Sequence, residues 1–223
     1  MMWLLVLIAK NFNGSSHSVH PDDEIKIDYF ILNTSEEKIA MKAPKDGNCH
    51  WLDVFEYGDD NIFVDNVGCS SEDGADIYTS SGKLIASGES HNVGYYKTYD
   101  ISDGYVYYAD NYGVNYADFE YEYIIPTYRK LDFKGNVVAS YKMPFKCLIK
   151  WAVGDYFVYK YNNNFYIGDI NGTINIQLPM EFDYVSSTKD VSGFRDKNGI
   201  VFSYGSENVK LFNFDTKKLE DIA

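Results

Sequence analysis

The stretch from Asp110 to Pro126, DNYGVNYADFEYEYIIP, gathers side chains suited to holding a ligand. Tyr112, Tyr116, Tyr121 and Tyr123 each offer a flat apolar face with a hydroxyl tip, and Phe119 adds a plain ring. Asp118, Glu120 and Glu122 supply carboxylates, and the stretch holds no lysine or arginine. Such a surface suits sugar rings, which stack on aromatic faces, and basic protein partners. Further acids fall in polar stretches that read as loops: Glu72 and Asp73 in GCSSEDG (68–74), and Asp22, Asp23 and Glu24 in NFNGSSHSVHPDDE (11–24). His91, like His50, lies where one repeat leads into the next, a position at the rim of the same surface.

Metal and nucleophile chemistry is less well served. His17 and His20 precede two aspartates and a glutamate, but zinc wants four well-placed ligands. Neither DNYGVNYAD nor SSEDGAD has the oxygen-ligand spacing of a helix–loop–helix calcium site, so the expectation is no resident cofactor, with calcium the nearest alternative. There is no Gly-x-Ser-x-Gly, no phosphate-binding loop and no dinucleotide fingerprint. If the 51–67 hairpin folds about Asp59, Asp53 faces Asp65, a like-charged pair that needs solvent or a cation. The same centre sets Cys49 opposite Cys69, a candidate disulfide that leaves Cys147 alone. Asn13, Asn33 and Asn171 each begin an Asn-x-Ser/Thr sequon in a predicted loop or turn.

The elements that must carry these residues are strands. Aromatics make up 17% of the 223 residues, no stretch keeps a helical period over three turns, and short alternating runs are separated by Gly, Asn, Asp and Ser. The formal net charge of −13 opposes phosphate backbones and anionic lipid surfaces, so neither nucleic acid nor membrane is an expected partner. MMWLLVLIAK lacks a basic leader region and is too short to cross a bilayer; its apolar run fits a strand covered on both faces.

Self-comparison shows a repeat. ADIYTSSGKLIASG, YRKLDFKGNVVASYKMP and FYIGDINGTINIQLP each read as strand, polar turn with glycine, strand, and Gly82, Gly135 and Gly172 supply the positive φ of a two-residue hairpin turn. Flanking segments IKIDYFILNTSEEKIAMKAP and VKLFNFDTKKLEDIA repeat the pattern, at a spacing of roughly 45 residues, and a second hairpin precedes most members. DGYVYYAD…YRKLDFKGNVV and its echo GDYFVYKYNNNFYIGDINGTI resemble the blades of TolB-like and quinoprotein-like propellers. The resemblance covers about residue 50 to the C-terminus and implies a fold, not an activity.

The expected fold is all-β, a β-propeller of about five four-stranded blades at 1–46, 47–90, 91–143, 144–180 and 181–223 in a single domain. Four blades with an irregular N-terminal region is the alternative. WLLVLIA is expected in the first blade, or closing the ring beside the C-terminal repeat. The expected function is a non-catalytic binding module for a protein or glycan partner. Its surface is the long connections between second and third strands: Tyr112, Tyr116, Asp118, Phe119, Glu120 and Tyr121, with Glu72, Asp73 and His91. A carbohydrate-active enzyme with carboxylates over a central funnel, and a structural subunit of a larger assembly, are the competing expectations.

Overall fold

The computed structural model describes residues 3–10, 26–33, 38–43, 50–57, 60–69, 72–90, 98–110, 125–178, 182, 184–204 and 208–222. Side chains are described from residue 53 onward, except at 58–59, 66–74, 88–97, 111–124, 179–181, 183–184, 204–208 and 223.

Every regular element among the described residues is a strand, and each sheet is an antiparallel meander of consecutive strands. The first sheet joins β1 (Trp3–Lys10), β2 (Lys26–Asn33) and β3 (Lys38–Ala43). The second joins β4 (His50–Tyr57), β5 (Asp60–Cys69), β6 (Glu72–Thr79) and β7 (Leu84–Ser90). The third joins β8 (Tyr99–Ser102), β9 (Tyr105–Asp110), β10 (Thr127–Asp132) and β11 (Val137–Lys142). The fourth joins β12 (Leu148–Val153), β13 (Tyr156–Tyr161), β14 (Asn164–Asp169) and β15 (Asn175–Gln177). The fifth joins β16 (Tyr184–Ser187), β17 (Gly199–Tyr204), β18 (Asn208–Asn213) and β19 (Lys218–Asp221).

The N-terminal apolar run is a strand, as its composition indicates, and it pairs with β2 from Trp3↔Asn33 to Lys10↔Lys26. Among the described residues β1 belongs to the first sheet, and the last sheet takes its four strands from residues 184–221.

By contacts the chain divides into two compact units, Met1–Asn92 with Phe133–Asn136, and Val93–Asp132 with Val137–Ala223. Within the second unit, the third, fourth and fifth sheets contribute side chains to two shared cores. Tyr107, Tyr128, Ile149, Ala152, Phe157 and Tyr159 fill the layer between the third and fourth sheets. Trp151, Val153, Val158, Ile167, Ile200, Phe202 and Phe212 fill the layer between the fourth and fifth. Successive side chains of a strand point to opposite faces, so Phe157 and Tyr159 enter one core while Val158 enters the other. The fourth sheet is thus covered on both faces, which explains the nearly unbroken apolar run of β12 and β13. Phe157, Val158 and Ile167 show no exposed surface, and each such burial contributes about 1.5–3 kcal/mol.

Turn chemistry sorts into two kinds. The hairpins β8–β9 and β13–β14 turn on Asp103-Gly104 (φ 52° and 80°) and Asn162-Asn163 (φ 49° and 60°), the mirror-image turn that matches strand twist. Gly82, Gly135 and Gly172 do have positive φ, at 80°, 80° and 68°, but not in two-residue turns. Gly82 N–H donates to Thr79 O at 2.9 Å and Gly172 N–H to Asp169 O at 3.0 Å, so the glycine closes a three-residue loop instead.

Candidate functional site

The long tyrosine-rich segment is placed by its base. Asp110, the last residue of β9, pairs with Thr127, the first of β10, so the chain leaves and re-enters the third sheet at one point. Arg129 Nη2 lies 3.4 Å from Asp110 Oδ2, and Met143 N–H donates to Pro126 O at 3.0 Å. Tyr108, opposite Arg129 across the ladder, has its hydroxyl pKa raised by burial, against the pull of that guanidinium. Tyr112, Tyr116, Asp118, Phe119, Glu120 and Tyr121 lie outside the described residues, as do His91, His17, His20 and Cys49.

Glu72 and Asp73 are not on a long loop. The ladder of β5 and β6 continues through Gly68↔Asp73 to Cys69↔Glu72, leaving only Ser70 and Ser71 between the strands. Loop-like composition misled here because neither the glycines nor the serines of GCSSEDG prevent pairing once a neighbouring strand supplies the ladder.

A second correction concerns the β4–β5 hairpin. It turns between Tyr57 and Asp60, so its centre falls between two residues and not on Asp59. Every pair moves by one: Asp53 faces Val64, and Asp65 faces Leu52 on one side and Asp76 on the other. Asp65 is 1% exposed, whereas Asp53 is exposed. On β6, Asp76 Oδ1 accepts from Ser87 Oγ at 2.8 Å and Oδ2 from the Tyr78 hydroxyl at 3.3 Å. Burial, then Asp76 and Asp65, push the Tyr78 hydroxyl up to about 12. The Cys49–Cys69 bridge rests on a hairpin centred on Asp59, which is not the centre observed, and Cys49 itself lies outside the described residues.

The two ends of the stacked sheets in the second unit differ in character. At the end of the first-to-second-strand turns, polar groups are satisfied between sheets. Gly154 N–H donates to Asp100 Oδ2 at 2.8 Å, and the Tyr128 hydroxyl lies 2.8 Å from Gly154 O and 3.0 Å from Tyr156 O. Lys130 Nζ donates to Asp155 Oδ1 at 2.9 Å, and Lys189 Nζ to Asp103 Oδ2 at the same distance. These groups tie neighbouring turns together, which is structural work.

The opposite end carries the base of the 111–126 connection and a cluster of rings in which Tyr159 is buried and Phe145, Tyr161 and Tyr166 are half-buried. Phe145 stands 4.5 Å from Tyr161, and Tyr166 stacks on Tyr159 at 5.2 Å. Asn162, Asn163 and Asn164 are exposed beside them at the β13–β14 turn. Rings with exposed amides around them can take a planar or sugar-like ligand by stacking and hydrogen bonding. This aromatic ground was not singled out in the sequence, although FKC and KYNNNFYIG spell it out; only the stacking of the sheets brings the two segments together.

Lys150 is the other feature that sequence reading passed over. A lysine inside the apolar run CLIKWAV was the available signal. Among the described residues no group of three or more His, Cys, Asp or Glu side chains is placed to hold a metal ion, and no helix is long and apolar enough to cross a membrane. Neither models of known protein families nor the curated proteins contain a match to this chain.

Proposed function

We propose that the chain is a small β-propeller of five sheets that acts as a non-catalytic binding module. Five consecutive antiparallel meanders, three of them stacked face to face with shared cores, support the propeller reading. The binding surface is the end of the third and fourth sheets where residues 111–126 emerge, and the ligand is a glycan or a basic protein segment. One observation carries this: β9 and β10 are paired up to Asp110↔Thr127, yet the intervening residues far exceed the two that join β13 to β14. A long acidic, tyrosine-rich connection on a rigid ladder is the usual form of a recognition loop.

The test is binding to a glycan array and to a panel of basic peptides, by the native chain and by a Tyr116→Ala/Tyr121→Ala variant. Saturable binding that the double variant loses, at an unchanged melting temperature, supports the reading. Binding retained by a variant whose melting temperature has dropped several degrees refutes it, because the two rings would then be packing elements.

A further inference from the structure

We propose that the fourth sheet carries a shelf for a neutral oligosaccharide, built from Tyr161 and Tyr166 with the amides of Asn164, Asn175 and Gln177. The inference names the ligand class and a second binding element for the proposed surface, and it rests on reading this end of the sheets as a ligand face.

Strand pairing puts the shelf on one face. Tyr159, Tyr166 and Gln177 are successive partners across β13, β14 and β15, and Tyr161 pairs with Asn164 in the row nearer the β13–β14 turn. Asn175, two residues before Gln177, projects the same way. Tyr159 belongs to the core shared with the third sheet, so the whole group faces that side. Burial falls off along this face. Tyr159 is 3% exposed, Tyr161 and Tyr166 are half-buried, and Asn164, Asn175 and Gln177 are exposed. A closed core thus opens into a shelf at the edge strand.

The rings are held from beneath. Tyr166 stacks on Tyr159 at 5.2 Å with 17° between the planes, and Phe145, from the connection of β11 to β12, packs 4.5 Å from Tyr161. Rings ordered in advance stack on a ligand without the entropy cost of being fixed by it. The amides are oriented too. Gln177 Nε2 donates to Asn164 Oδ1 at 3.3 Å, and Asn164 Nδ2 donates to Asn162 O at 3.0 Å. The Tyr159 hydroxyl donates to Asn175 Oδ1 at 2.8 Å. Gln177 therefore offers its carbonyl oxygen to a ligand, and Asn175 its amide hydrogens.

Charge selects the ligand class. Among the described residues of β12 to β15, the carboxylates are Asp155 and Asp169, and both belong to turns at the other end. Lys160 projects to the opposite face, with its nitrogen 5.8 Å from the Phe165 ring, and Lys146 is exposed to water. A basic peptide would find no carboxylate on the shelf, and an anionic sugar no buried cation. A neutral sugar brings an apolar C–H face for the rings and hydroxyls for the amides. The shelf also lacks the two carboxylates that glycoside hydrolysis uses, so the ligand is held intact.

The test is titration calorimetry of the full chain with maltohexaose and cellohexaose as neutral probes, oligogalacturonate as the anionic probe and oligolysine as the cationic one. A neutral probe should bind, Tyr166→Ala should weaken it about tenfold, and Tyr166→Phe should keep it, because stacking needs the ring and not the hydroxyl. Gln177→Ala alters an exposed side chain and should weaken binding several-fold, which keeps the test intact if Tyr166→Ala fails to fold. The proposal is overturned if neither neutral probe binds, if either charged probe binds more tightly than both neutral ones, or if neutral binding ignores Tyr166→Ala and Gln177→Ala. Binding lost in Tyr116→Ala/Tyr121→Ala but unmoved by both shelf variants overturns the shelf and keeps the 111–126 surface. The reverse pattern supports the shelf and refutes that surface.

Discussion

Tyr128 and Gly154 are joined across two sheets: the hydroxyl of a fully buried tyrosine on β10 donates to the carbonyl of a turn glycine between β12 and β13, at 2.8 Å. The Tyr156 carbonyl, 3.0 Å from the same hydroxyl, lies in the next strand. The ring itself packs 4.7 Å from Phe157, so one residue supplies both core and cap for the junction.

Removing only the hydroxyl should expose the difference between these roles. Tyr128→Phe keeps the ring but removes the one proton that the hydroxyl donates between the sheets, and should lower stability by about 1–3 kcal/mol. Tyr128→Ala adds a large cavity and should cost about 3–5 kcal/mol or abolish folding. Urea denaturation followed by tryptophan fluorescence, with Trp151 buried in the adjoining core, checks both.

Glycine positions should rank by what a methyl group would meet. A Cβ on Gly199 would lie 2.1 Å from the Phe212 carbonyl oxygen, which is backbone and cannot yield. One on Gly193 would meet nothing within 4 Å and would suffer only the strain of φ 91°. Gly199→Ala should therefore destabilise by several-fold more than Gly193→Ala, whose cost is about 1 kcal/mol. Paired thermal melts of the two variants decide the order.

Stability should pass through a maximum at alkaline pH. The folded-state amine of Lys150 lies near 7 against an ordinary 10.5, so between these values the unfolded chain holds the extra proton and stability rises with pH. The Cys147 thiol, pushed up to about 12 from 9.0 by burial, works in the opposite sense, because the unfolded chain loses that proton first above 9. Tyr78 and Tyr107, each pushed up to about 12 from 10.0 with burial the largest cause, add to the loss above pH 10. Urea midpoints should climb from pH 7 toward 9 and fall steeply past 10. Lys150→Met should flatten the rising limb by raising stability at pH 7 and below.

Cys147 should be silent in the folded chain. It is 1% exposed, and its raised pKa leaves almost no thiolate at neutral pH. Iodoacetamide at pH 8 should label it only at the rate at which the core between the third and fourth sheets opens. Labelling as fast as a free peptide thiol would show that this core is not closed.

Much of the architecture was legible because it is written locally. Alternation in YVYY, YFVYKY and FYIGD marks strands, a glycine in several of the polar turns marks a left-handed residue, and the recurrence of both marks a repeat. All-β meanders follow from such signals without knowledge of any distant contact. The candidate surface was legible only as a composition, DNYGVNYADFEYEYIIP, and the ladder added where it is anchored, at Asp110 and Thr127.

What tertiary structure alone decided is register and face. Whether Asp65 faces Asp53 or Leu52 turns on whether the β4–β5 hairpin centres on one residue or between two, and a one-residue change re-pairs every side chain along it. GCSSEDG reads as a loop until β5 and β6 are laid side by side. The bulge at Lys150 has no local signature either: it arises where β12 must fill two cores at once, with Ile149 on one side and Trp151 on the other. Sequence by itself determined that strands would form and roughly where they would turn. Packing between sheets decided which side chains meet, because that energy depends on residues far apart in the chain.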